Sequence, residues 1–175
     1  MDEELSVLFS EEQIKLRIQE LAQKINNDYK DSDIVMICIL KGAVYFACDL
    51  SRRINNNVTL EFIKITSYTG TETNKEPRID YDLKSSIEGK DVLIVEDILD
   101  TGCTLDFLVK ILKLKNPKSI KICTLLDKDI ERDFSLKPDY VGFKIDNYFV
   151  LGYGLDYNEE YRNLPNICYK KTKRL

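Results

Sequence analysis

The stretch Val92-Leu-Ile-Val-Glu-Asp-Ile-Leu-Asp-Thr-Gly-Cys-Thr104 holds the densest set of reactive side chains in this chain. An apolar run leads into Glu96, Asp97 and Asp100, then a glycine turn with Thr101 and Thr104 on either side of it. Asp100-Thr101-Gly102-Cys103-Thr104 offers successive backbone N–H groups and two hydroxyls where a helix should begin, a cradle for a phosphate dianion. Gly102 lets the backbone approach such a ligand closely. Carboxylates beside an anion cradle must address something neutral or cationic, so Glu96 and Asp97 suit sugar hydroxyls or a metal ion. The segment therefore reads as a sugar-phosphate site. No GxxxxGK[ST] loop exists, and Gly152-Tyr-Gly154 lacks the third glycine of a dinucleotide fingerprint.

Such a loop needs a rigid frame, and the chain alternates strand-like and helix-like segments. Ser10 and Gln13 form a capping box ahead of Ile14, Ile18, Leu21, Ala22 and Ile25, which predicts an amphipathic helix over 11–27. The continuous β-branched run 34–40 predicts a strand buried on both faces, ending at Lys41-Gly42. Ala43, Val44, Ala47, Leu50 and Ile54 then recur at helical spacing. Strands are expected over 58–65, 92–95, 120–126, 140–145 and 149–152, and a helix over 104–114 stopped by Asn116-Pro117. This alternation predicts an α/β fold with a central, mainly parallel sheet flanked by helices. Ligands in such sheets bind beyond the carboxyl ends of the strands, where the 96–104 loop falls. Residues 66–86 are polar and Gly-containing, and are taken as a flexible lid; a surface excursion or a pair of short hairpin strands fits the composition equally.

The 175 residues suit one domain, and 43% apolar with 32% charged residues excludes disordered and collagen-like classes. A net charge of −4 gives no global field for nucleic acid or an anionic membrane, so no partner of either kind is expected. With no histidine, imidazole bases, His-ligated metals and His triads are excluded. Five cysteines, an odd number without a CxxC pair, suggest a reduced, cytoplasmic protein. The acidic start Met1-Asp2-Glu3-Glu4 lacks the pattern of a signal peptide, and no apolar run is long enough to span a membrane.

The 96–104 segment resembles the phosphoribosyl pyrophosphate motif of the type I phosphoribosyltransferases, and the wider chain resembles the family's hypoxanthine phosphoribosyltransferase branch. Further matches occur in order: Leu40-Lys41-Gly42, Ser67-Tyr68, Leu125-Leu126-Asp127-Lys128, Lys137-Pro-Asp-Tyr-Val-Gly-Phe143 and Phe149-Val-Leu-Gly-Tyr-Gly-Leu-Asp-Tyr-Asn-Glu159. The resemblance implies transfer of ribose 5-phosphate from phosphoribosyl pyrophosphate to N9 of hypoxanthine or guanine, with Mg²⁺ and release of pyrophosphate. It implies a single domain over 1–175 with a small hood at about 138–175, and a homodimer or homotetramer.

Residue by residue, the resemblance assigns Asp100 as general acid or base at the purine imidazole ring; helix capping is the plainer reading of the same aspartate. Glu96, Asp97, Thr101, Gly102, Cys103 and Thr104 complete the phosphoribosyl site. Lys41-Gly42, where the preceding peptide is often cis, and Arg162 match the pyrophosphate contacts. Lys128 matches the donor to the purine 6-oxo group, Phe149 the stacking aromatic and Val150 the backbone reader of the base edge. Asp156 matches the carboxylate of a second Mg²⁺ beside the base, with Glu96 and Asp97 as the other metal residues. Ser67-Tyr68 matches the pair on a loop that closes over the reaction centre. Cys103 departs from the Leu or Lys usual there. A non-catalytic sensor of phosphoribosyl pyrophosphate and a xanthine-preferring enzyme are the alternatives.

Overall fold

The computed structural model describes residues 5–30, 32–67, 77–132 and 136–170. Among the described residues, nine strands and three helices follow in the order β1 (Leu5–Phe9), α1 (Glu11–Tyr29), β2 (Ile34–Leu40), α2 (Val44–Ser51), β3 (Val58–Ser67), β4 (Pro77–Tyr81), β5 (Asp91–Leu99), α3 (Cys103–Lys113), β6 (Ser119–Lys128), β7 (Tyr140–Ile145), β8 (Val150–Leu151) and β9 (Ile167–Lys170). The Ser10–Gln13 capping box forms as expected: Gln13 N–H donates to Ser10 Oγ, and Ser10 N–H to Gln13 Oε1.

A six-stranded sheet runs β4-β3-β2-β5-β6-β7, parallel throughout except for antiparallel β4. Its central strands alternate between two cores, as the period of two demands. Met36 and Cys38 of β2 pack with α1 and α2, whereas Val35, Ile37 and Ile39 pack with α3. The helices that follow β2 and β5 thus lie on opposite faces, and the chain leaves these two neighbouring strands in opposite directions. That divergence opens a crevice at their carboxyl ends. Pairing of β2 with β5 stops at Cys38 opposite Val95, while β5 continues beside β6 as far as Leu99 opposite Asp127.

A second, antiparallel sheet of order β1-β9-β8 stands where a hood is expected. It differs from expectation in two ways. Residues 140–145 form the edge strand β7 of the main sheet, so the hood does not start near 138. It also recruits the N-terminal β1, held to β7 by stacked Phe9 and Phe143 rings 3.9 Å apart. Within the expected lid, β4 pairs back on β3 with Pro77 opposite Ser67, so 77–81 is sheet; the ribbon reading holds there. Tyr68 lies outside the described residues.

At the opposite end of the sheet Asp91, 9% exposed, accepts from Lys118 Nζ at 2.7 Å and Ser119 Oγ at 2.6 Å. Burial pushes its pKa up, but these bonds prevail and hold it below the ordinary 3.8. A depressed folded-state pKa contributes stability above the unfolded value that is lost as pH falls through the folded one. Asp91→Asn should therefore cost about 1.5–3 kcal/mol near neutral pH. The difference in urea-unfolding free energy from wild type should narrow as pH falls below 3.8; a gap that stays constant down to about pH 3 would refute this origin.

Candidate active site

The crevice brings together the turn after β2, the loop after β5 and the end of β6. α3 begins behind Gly102, whose φ of 84° is left-handed, and no side chain caps the helix. Asp100 is therefore not the cap. Its carboxylate instead accepts from Lys128 Nζ at 2.8 Å, joining the ends of β5 and β6. Lys128 is 11% exposed along its side chain and Asp100 51%, so the ammonium lies deep and the carboxylate faces the opening. A cavity of about 170 Å³ is lined by Glu96, Asp100, Thr101, Gly102 and Thr104, with Ile39, Ile98, Leu99 and Leu105 as its apolar walls. Whole ligand sites usually occupy about 300–1,000 Å³, so this pocket suits one compact end of a ligand, such as a phosphate at the uncapped helix terminus. Cys103 opens α3 as an exposed free thiol and is not among the lining residues.

Arg132 is a site residue that the sequence did not announce. Its Nε donates to Asp100 O at 2.7 Å, and its Nη2 to Leu99 O at 2.8 Å and Lys128 O at 2.6 Å. Nη2 also lies 2.8 Å from the Asp127 carboxylate. One guanidinium thus fastens the β5 loop to the end of β6, using the planar fork that lysine lacks. The only sequence signal is a spacing of four residues from Lys128, which no motif marks.

Asp97 faces the turn after β2. The Leu40–Lys41 peptide is cis. A Cβ on Gly42 would stand 1.6 Å from Asp97 Oδ2, so any larger residue there must displace that carboxylate or the turn. The hood closes on the same turn: a Cβ on Gly154, at φ +102°, would lie 2.0 Å from Gly42 O. Behind it, Arg162 donates to Gly154 O at 2.8 Å and pairs with Asp156 at 2.9 Å and Glu159 at 3.3 Å. Lys41 Nζ meets the other oxygen of Glu159 at 2.8 Å. The expected pyrophosphate cations Lys41 and Arg162 are thus neighbours, joined through Glu159.

Glu96 and Asp97 are half-buried side by side. Burial and the adjacent Asp97 charge push Glu96 well above the ordinary carboxylate range. Burial raises Asp97 as well, against hydrogen bonds from Glu96 and the Ile98 N–H. Two crowded carboxylates of this kind fit a divalent cation, which would relieve their repulsion. Mg²⁺ in particular binds through one or two carboxylates and fills its shell with water and substrate oxygens. Among the described residues no three acidic or cysteine side chains form a metal cluster. Asp156 is engaged with Arg162 and the Glu159 N–H.

On the hood side, Phe149 is 52% exposed and meets Tyr157 edge-on, with ring centroids 5.7 Å apart. Val150 is buried and pairs with Tyr169 of β9. The backbone of Ser67 ends β3.

A phosphoribosyl transferase domain profile matches residues 6–158. The hypoxanthine-guanine phosphoribosyltransferase of Bacillus subtilis is 45% identical over 162 residues, covering 92% of this chain and 90% of its own. A solved hypoxanthine-guanine phosphoribosyltransferase from Bacillus anthracis superposes with a TM-score of 0.90 at 45% identity, over 95% of this chain and 98% of that one. The chain also matches the bifunctional TilS/HprT protein of Listeria innocua at 45% identity, and spans 26% of that protein's length. Likeness of this extent, over a fold that opens its crevice beside the matching loop, means that the chain belongs to the phosphoribosyltransferase family, in its hypoxanthine-guanine branch.

Proposed function

We propose that this chain is a purine-salvage enzyme that transfers the 5-phosphoribosyl group of phosphoribosyl pyrophosphate to N9 of hypoxanthine and guanine. The products are inosine or guanosine monophosphate and pyrophosphate. The observation that carries this reading is the Asp100–Lys128 contact of 2.8 Å beside the phosphate cradle. A purine offers N7 and its 6-oxo oxygen on one edge, and these two side chains are spaced to meet both atoms together. Lys128 donates to the oxygen, which favours 6-oxopurines over adenine, whose amino group is itself a donor.

In the reaction N9 forms a bond to the anomeric carbon while the bond from that carbon to pyrophosphate oxygen breaks. The proton on N7 passes to Asp100 as positive charge develops on the base. N–H groups of residues 101–104, with the Thr101 and Thr104 hydroxyls, hold the 5-phosphate. Lys41 and Arg162 meet the departing pyrophosphate, with the Gly42 turn allowing its approach. Glu96 and Asp97 would hold the ribose hydroxyls and a Mg²⁺, and Asp156 would serve a second. When bound, Mg²⁺ supplies neutralising charge for the leaving group. Phe149 stacks on the base, whose edge is read by the Val150 backbone, and the Ser67-Tyr68 pair contributes to a lid that excludes water.

Five free cysteines support a reducing, cytoplasmic setting. Among the described residues no helix is long and apolar enough to cross a membrane. Family likeness supports a homodimer or homotetramer. The direct test is product analysis with phosphoribosyl pyrophosphate, Mg²⁺ and hypoxanthine, guanine or xanthine supplied separately. Inosine monophosphate should form from hypoxanthine, and its absence across varied pH and metal concentration would reject the proposal. Turnover of xanthine above the other two bases would favour the xanthine reading.

A further inference from the structure

The two cations assigned above to the leaving pyrophosphate share an internal anion. Glu159 Oε2 accepts from Lys41 Nζ at 2.8 Å, while its Oε1 lies 3.3 Å from Arg162 Nη2. A single carboxylate thus spans both cations with its two oxygens, as two oxygens of one phosphate group can, since carboxylate and phosphate share bidentate recognition geometry. The backbone holds it there. Asn158, Glu159 and Tyr161 have φ of 53°, 67° and 69°, left-handed values that side chains seldom adopt. Clusters of such residues persist where the surroundings enforce them, commonly at ligand sites. The Glu159 N–H is tied to Asp156 Oδ2 at 2.9 Å, and Asp156 grips Arg162 in turn. Glu159 itself is 64% exposed along its side chain, so its carboxylate is free to swing into solvent without leaving a buried charge behind.

We infer that Glu159 is a built-in substitute for pyrophosphate, which occupies Lys41 and Arg162 in the ligand-free protein and must be displaced when the diphosphate enters. This rests on the pyrophosphate role of Lys41 and Arg162 proposed above. The carboxylate neutralises the cations between turnovers and returns to them as pyrophosphate departs, so it weakens binding of the leaving group and speeds its release. Asp156, 2.9 Å from Arg162, still partners the guanidinium when Glu159 swings away.

The test is calorimetric titration of pyrophosphate, with Mg²⁺ present, into wild type, Glu159→Gln and Lys41→Met. Glu159→Gln keeps the side-chain shape and removes the competing charge. Two exposed pairs are lost, so its affinity for pyrophosphate should rise by about two- to thirtyfold. The KM for phosphoribosyl pyrophosphate should fall in step while the KM for hypoxanthine stays unchanged, a split that a merely structural role would not produce. Unchanged or weaker pyrophosphate binding in Glu159→Gln, with Lys41→Met still weakening it, would overturn the role of Glu159 and leave the site intact. Wild-type affinity in Lys41→Met would overturn the pyrophosphate assignment itself, and the inference with it.

Discussion

Asp100→Asn is expected to lower kcat by about 10²–10⁴, the range over which a positioned general acid or base acts. The substitution keeps the side-chain volume and an oxygen that accepts from Lys128, but the amide cannot take up the purine proton. Because Lys128 retains an acceptor at its 2.8 Å contact, base binding should change far less than turnover. Steady-state kinetics with both substrates varied separates the two effects. Equal losses in kcat and in affinity for the base would assign Asp100 to binding alone. Asp100 makes no cap on α3, so the variant should also keep wild-type thermal stability. A clear drop in Tm would indicate that the carboxylate does structural work instead.

Gly42→Ala should be nearly as damaging, for a steric reason. The new methyl would stand 1.6 Å from Asp97 Oδ2, a distance no relaxation of the alanine alone can relieve. Asp97 cannot simply retreat, because its other oxygen accepts from the Ile98 N–H at 2.7 Å and its own N–H donates to Glu96 Oε1 at 3.2 Å. Either the carboxylate pair or the Lys41 turn must shift. Displacements near 1 Å at reacting groups cost on the order of a hundredfold, so kcat/KM should fall at least that far. The loss should appear mainly in the KM for phosphoribosyl pyrophosphate and in Mg²⁺ dependence. A Gly42→Ala protein with wild-type kinetics would show that the turn after β2 takes no part in binding.

Much of this was legible in the residues themselves. The β-branched run Ile34–Leu40 forms β2, and the capping box at Ser10 starts α1 where expected, because both signals are local and agree with the final packing. The turn at Gly102 ahead of α3 was likewise visible, since a glycine between hydroxyl-bearing residues after an apolar strand specifies it without help from distant chain. β1 and β9 were missed. Each is short, and they become strands only by pairing with each other, Leu5 opposite Lys170, across almost the full length of the chain.

What the order of residues determined by itself, then, was the list of reactive groups, the absence of histidine chemistry and the alternation of strands and helices. Tertiary structure alone decided how those groups meet. It turned Asp100 from a plausible helix cap into the partner of Lys128, set Arg132 across three carbonyls and closed Glu159 over two cations. It also paired Asp156 with Arg162. The physical reason is the reach of each interaction. Caps, turns and periodicity act within a few residues, whereas a contact between residues 28 or 118 positions apart exists only after the sheet has brought two strand ends together.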